Sequence, residues 1–158
     1  MTRKFLPATA CCLLVVAAPP VVSQTNTPSS GEEPAIARTA DDPKLQWMPC
    51  PEFLPEGCGI AVLHGDPSMP NVDVFFKVPA GSVIPLHWHT SAERMVLVAG
   101  EMHVSYEGQA QARLTPGTYA YGPAGRAHRA RCVGEVPCVL FIAFESALDA
   151  MPSAPEGP

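Results

Sequence analysis

Charged side chains are scarce in this chain, with 10 Lys and Arg and 15 Asp and Glu among 158 residues and a formal net charge of −5. No Lys/Arg cluster follows the first few residues, so the electrostatic footprint of a nucleic-acid partner is missing. Long apolar runs are missing too. The longest, over residues 6–22, is interrupted by Pro19 and Pro20 and falls short of the ~20 residues a spanning helix needs, so no stable membrane anchor is expected. No internal repeat is visible. What is plentiful is apolar residues, at 47%, and proline, at 19 residues. That balance favours one loop-rich β domain with flanks over a helical bundle or a disordered chain.

Arg3 and Lys4 precede the apolar run, and Val21-Val22-Ser23 offers small residues for cleavage. Residues 1–23 therefore read as a signal peptide, and the mature protein as periplasmic or extracellular. Removing them takes away two positive charges and no negative ones, moving the formal net charge from −5 to −7. Cys50, Cys58, Cys132 and Cys138 remain, and an even number in an exported chain suggests disulfides. Spacing favours Cys50–Cys58 and Cys132–Cys138, each closing a short loop. The second pair is expected at facing positions of a hairpin, where Cα separations permit a bridge. The alternative is a free Cys132 close to the pocket.

Residues 24–45 are rich in Ser, Thr, Pro and charge and read as a disordered spacer, and residues 149–158 as a flexible tail. The domain between them, 46–148, breaks into short strands expected at 59–63, 72–78, 93–99, 101–106, 111–114, 118–121, 127–132 and 136–144. Gly, Pro and Asp punctuate them, as in Gly65-Asp66-Pro67 and Pro116-Gly117. This is the pattern of an all-β sandwich or small barrel. Only residues 146–148 could add a helical turn.

The chemistry is concentrated in four side chains. His87 and His89 are two apart, so a strand would turn both imidazoles to one face and Trp88 to the other. Glu93 follows across a short bend, and His128 comes from a distant strand. Three neutral nitrogens and one carboxylate oxygen suit Mn, Fe, Co, Ni, Cu or Zn, and are too nitrogen-rich for Ca or Mg. The glycines and prolines around them fall in two patterns, Gly81-x5-His87-x-His89-x3-Glu93-x6-Gly100 and Gly117-x5-Pro123-x-Gly125-x2-His128. At these spacings the chain resembles the cupin superfamily over about a hundred residues. The resemblance implies a jelly-roll β-barrel, or double-stranded β-helix, that binds one metal through His87, His89, Glu93 and His128. It also implies open metal positions for water, oxygen or substrate. Cys132 stands where the second motif usually ends in Asn. Leu54-Pro55-Glu56-Gly57 and His64-Gly65-Asp66-Pro67 are further similar to a group of exported single-domain cupins.

Other residues are assigned lesser roles. His64 reads as a solvated turn residue, and His103 as part of a polar face with Glu101 and Ser105. Tyr119 and Tyr121 share a face and either pack there or line the pocket. Met95 and Leu97 have the parity of Glu93 and read as barrel lining. Arg126 and Arg129 flank His128, either steering a carboxylate or standing in solvent. Val72, Val74 and Phe76 on one strand face, with Phe75 and Lys77 on the other, suggest a sheet surface covered by a second copy in a homodimer; coverage by Trp47 and Phe53 is the alternative. Two functions stay open. One is a small metalloenzyme, oxygenase- or isomerase-like, acting on a small-molecule substrate. The other is a non-catalytic module binding a metal or small ligand.

Overall fold

The computed structural model describes residues 34–153; the expected signal peptide, the first part of the expected spacer and the last five residues lie outside them. Within the described residues the chain forms β1 (Trp47–Pro49), β2 (Gly59–His64), β3 (Val72–Val78), β4 (Val83–Trp88), β5 (Glu93–Ala99) and β6 (Glu101–Tyr106). These are followed by β7 (Ala112–Leu114), β8 (Tyr119–Gly122), β9 (His128–Val133), β10 (Cys138–Phe144) and β11 (Met151–Pro152). All pairings are antiparallel, in a six-stranded sheet of order β1-β2-β3-β10-β5-β8 and a five-stranded sheet of order β11-β4-β9-β6-β7. This is an all-β jelly roll. The expected turn of helix at 146–148 is absent: Ser146 N donates to Ser91 Oγ and Leu148 N to Pro67 O, which ties the segment to distant loops.

Period-two alternation builds the core. In β9, His128, Ala130 and Cys132 are buried while Arg129 and Arg131 are exposed. In β5, Glu93, Met95 and Leu97 point inward, as their shared parity requires. The inner faces of the two sheets meet in one cluster that includes Val72, Val74, Leu97, Met102, Leu140 and Ile142. The chain crosses between sheets at Gly100, whose φ is +79° and where a Cβ would stand 2.9 Å from Cys138 Sγ. Only glycine fits both demands.

Strand β4 was not among the expected strands, because Pro85 interrupts its run and its apolar residues do not alternate cleanly. Ile84 pairs with Ala130 and His87 with His128, three steps on one strand against two on the other. This bulge lets Ile84 and His87 both face inward although they differ in parity.

The cysteines pair as their spacing suggests, Cys50–Cys58 and Cys132–Cys138, each with a Cα separation of 5.6 Å. The expected hairpin geometry for the second pair is corrected, however. Strand β9 lies in the five-stranded sheet and β10 in the six-stranded one, so the bridge staples the two sheets together at the base of the strand carrying His128. A loop this short limits its contribution to roughly 2 kcal/mol by chain entropy. Both pairs are compatible with export, and no helix among the described residues is long and apolar enough to cross a membrane.

On the outer face of the six-stranded sheet, Trp47, Ala61, Phe75, Phe141, Val96 and Tyr119 follow one another in register. Lys77 Nζ lies 4.0 Å from the Trp47 ring centroid and Phe75 packs edge-on against Phe141. Trp47 thus covers one edge of this face from within the chain. Phe53 does not, as it sits near His87 with ring centroids 6.2 Å apart.

Candidate metal centre

The two histidines of the first pattern sit where β4 ends, with His87 in the strand and His89 just past it. Four residues after His89 the chain has crossed to the other sheet and opens β5 with Glu93. His128 is the first residue of β9 and pairs directly with His87. One rim of the barrel therefore collects three imidazoles from the five-stranded side and one carboxylate from the six-stranded side. All four are buried, from 3% exposure for Glu93 to 8% for His89. Ring centroids lie 4.2 Å apart for His87–His128, 5.0 Å for His87–His89 and 5.4 Å for His89–His128. One ligating atom from each histidine falls within 4.8 Å of the others. The Glu93 oxygens are 3.4 Å from His89 Nε2 and 3.8 Å from His128 Nε2.

Backbone carbonyls fix the tautomers. His87 Nδ1–H donates to Pro85 O at 2.8 Å, His128 Nδ1–H to Arg126 O at 3.3 Å, and His89 Nδ1–H to Asp149 O. Each ring then keeps its Nε2 lone pair for the shared interior, the arrangement that metal-binding histidines need. Burial pushes the His87 imidazole down to about 4 and the His128 imidazole to about 3, with His89 lowered for the same reason. All three are neutral at pH 7. Burial, assisted by the nearby Asp149 charge, pushes Glu93 up to about 8. Three neutral nitrogens around a carboxyl form a set that a divalent transition metal fits, so the three histidines can hold such an ion.

Two neighbours were not expected. Asp149 lies in the segment that composition assigns to the tail, yet β11 pairs with β4 just beyond it. Its carboxylate accepts from Thr90 N at 2.9 Å and Thr90 Oγ1 at 2.6 Å, while its carbonyl orients His89. Nothing in the local sequence signals this long-range contact. Tyr106 shares the inward parity of Met102 and Val104, a signal that was available. Its ring stacks on His128 with centroids 4.7 Å apart. Its hydroxyl and Glu93 Oε2 crowd the point where a Cβ on Gly122 would stand, at 2.5 and 3.0 Å.

The donor set opens onto a cavity of about 210 Å³. Phe76, Met95, Met102, Leu140 and Ile142 are among its walls, and no Lys or Arg is among the described lining residues. Arg126 and Arg129 are exposed outside it. Tyr119 and Tyr121 are 60% and 51% exposed, so the pocket role considered for them is corrected: their parity in β8 points them outward. His103 faces Glu101 at 3.1 Å, and Arg113 chelates the same carboxylate, on the polar surface as expected.

Residues 36–147 match the family model of the ChrR cupin-like domain. No curated protein matches the chain at a significant level. Among solved structures, the DMSP lyase DddQ from Ruegeria pomeroyi is 25% identical with a TM-score of 0.60, covering 72% of this chain and 64% of the lyase. An RmlC-like cupin from Shewanella frigidimarina is 21% identical with a TM-score of 0.54, over 66% of this chain and 86% of that one. A cupin 2 conserved barrel domain protein from Rhodopseudomonas palustris is 16% identical with a TM-score of 0.56, over 70% and 79%. The chain thus spans less than two thirds of the lyase's length.

Proposed function

The chain belongs to the ChrR cupin-like family, and from that premise we propose a small metalloenzyme. One divalent transition metal is held by His87, His89, Glu93 and His128, and a small molecule is converted beside it. The observation that carries this reading is the cavity. Structural metal sites close around the ion, whereas catalytic ones keep a position open to substrate, and here the donor atoms face a space of about 210 Å³. Bound there, the metal supplies a Lewis acid for a substrate oxygen or, if redox-active, oxygenase chemistry. The chain's own residues hold the rings through Pro85, Arg126 and Asp149 carbonyls and keep bulk water out with apolar walls. The name of the lyase relative adds elimination to the oxygenase- and isomerase-like reactions considered.

A specific observation favours the second reading, a non-catalytic binding module. The described lining contains no Ser, Thr, Cys or Lys, and outside the donor set only Tyr106 and Asp149 bring protic or acidic groups. Anaerobic purification with elemental analysis, followed by NMR of the protein incubated with a panel of small oxo acids, enols and cyclic alcohols, separates the two. About one metal per chain with metal-dependent conversion is expected. Full metal content with binding but no conversion of any compound would leave the module.

The homodimer is also proposed, through the outer face of the six-stranded sheet. Its register row ends in Tyr119, 60% exposed, beside Val98, 40% exposed, an apolar surface suited to a second copy. Light scattering at tens of micromolar should give twice the chain mass; a monomer alone would remove this proposal.

A further inference from the structure

The Tyr106 hydroxyl is buried, yet no described protein group hydrogen-bonds to it. Leaving such a group unpaired costs roughly 1–3 kcal/mol, and buried polar atoms without partners are few in native folds. This one stands at the metal end of the cavity, its ring stacked on His128 and its oxygen beside Glu93 over Gly122. The remaining walls are apolar, with Met95 and Met102 positioned among Phe76, Leu140 and Ile142. With no Lys or Arg in the described lining, the metal is the one cation a buried anion would meet there, and Glu93 and Asp149 in the same lining already offset its charge, so a multiply charged anion would be left unpaired. A dry cavity of about 150 Å³ lined by Leu, Ile and Phe takes benzene, so 210 Å³ sets a comparable scale.

We propose that the cavity takes an uncharged, largely apolar molecule of about benzene size bearing a single oxygen function, and that Tyr106 is the substrate-positioning residue that donates a hydrogen bond to that oxygen. The proposal rests on the cavity being the ligand site of the metal centre. A phenolic hydroxyl is protonated near neutral pH, so Tyr106 arrives as a donor. The ligand's oxygen would lie at the His128–Glu93 end, and its apolar body would pack among the methionines, whose thioethers suit a ring face or edge.

The test uses phenol and toluene as probes, titrated by NMR into the zinc-loaded protein and the metal-free protein, for the natural chain and for Tyr106→Phe. Both probes should bind the natural chain. Tyr106→Phe should weaken phenol about tenfold, the size of one lost neutral hydrogen bond, and leave toluene within about twofold, because the ring shape is kept. Unchanged toluene binding also shows that the variant folds. Phthalate, a dianion of similar size, should not displace phenol. The proposal is overturned if phenol affinity is the same in Tyr106→Phe, if phthalate competes as well as phenol, or if neither probe binds. Zinc content measured on the same samples separates the two readings. A protein that takes up no zinc but binds phenol through Tyr106 defeats the metal centre, whereas full zinc with Tyr106-independent phenol binding defeats this inference alone.

Discussion

In the His87→Ala/His89→Ala double variant, metal content is expected to fall from about one equivalent per chain to less than about a tenth. The reason is the way the donors are distributed. His87 and His89 supply two of the three nitrogens, and the remaining pair, His128 and Glu93, comes from opposite sheets. Two ligands cannot supply the nitrogen-rich set that selects a transition metal over abundant hard cations. The variant should still fold, since both side chains stand at one rim and most of the apolar cluster is supplied by β3, β5, β6 and β10, of which Phe144 packs against His89. Elemental analysis after dialysis against trace metal, with melting curves alongside, makes the measurement. A full equivalent retained by a folded double variant would defeat the four-residue assignment.

Metal uptake at pH 7 should release close to one proton per ion, and that proton should come from Glu93. Ligation requires a carboxylate and neutral imidazoles. Burial already keeps His87 and His128 neutral, with values near 4 and 3, and lowers His89, so they have nothing to give up. Glu93, pushed up to about 8, is protonated at pH 7 and must lose its proton. Apparent affinity should therefore rise about tenfold per pH unit from roughly pH 6 to 7.5 and level off above about 8.5. Calorimetry in buffers of different ionisation enthalpy counts the protons, and Glu93→Gln should release none. Proton release that is the same in Glu93→Gln as in the natural chain would refute the assignment of the proton to Glu93. The same shifts set the stability of the metal-free fold. Glu93's folded value lies above its unfolded one, so its contribution favours folding below the unfolded value and declines as pH rises towards about 8. The histidines' folded values lie below 6.5, so their contribution declines as pH falls through 6.5 towards 4.

Much of this site was legible because its determinants are local. His87-x-His89 and Glu93 follow one another within seven residues, and Gly81, Gly100, Gly117 and Gly125 each carry a positive φ at the turn their spacing marks. Strands β3, β5 and β6 were bounded at the residues expected, since clear glycine and proline breaks flank them. Strand β4 was not, because its bulge and Pro85 hide the alternation. Tyr106 has the parity of Met102 and Val104, but parity gives a side chain's face and not its distance from a partner, so its place in the site could not be read from it.

By itself, the sequence determined the all-β class and the four metal-site candidates, because short-range spacing and strand parity decide them; the jelly roll came from the resemblance to cupins, and spacing favoured the cysteine pairs without fixing them. Only the tertiary structure decided which distant residues meet. It set Asp149 against His89 and Thr90, made Cys132–Cys138 a staple between sheets instead of a hairpin clasp, and turned Tyr119 and Tyr121 outward while bringing Tyr106 onto His128. Those contacts join residues 22 to 60 positions apart or strands of different sheets. Nothing local encodes them, because they follow from which distant strands pair, as β6 with β9 and β11 with β4, and from how the two sheets pack face to face.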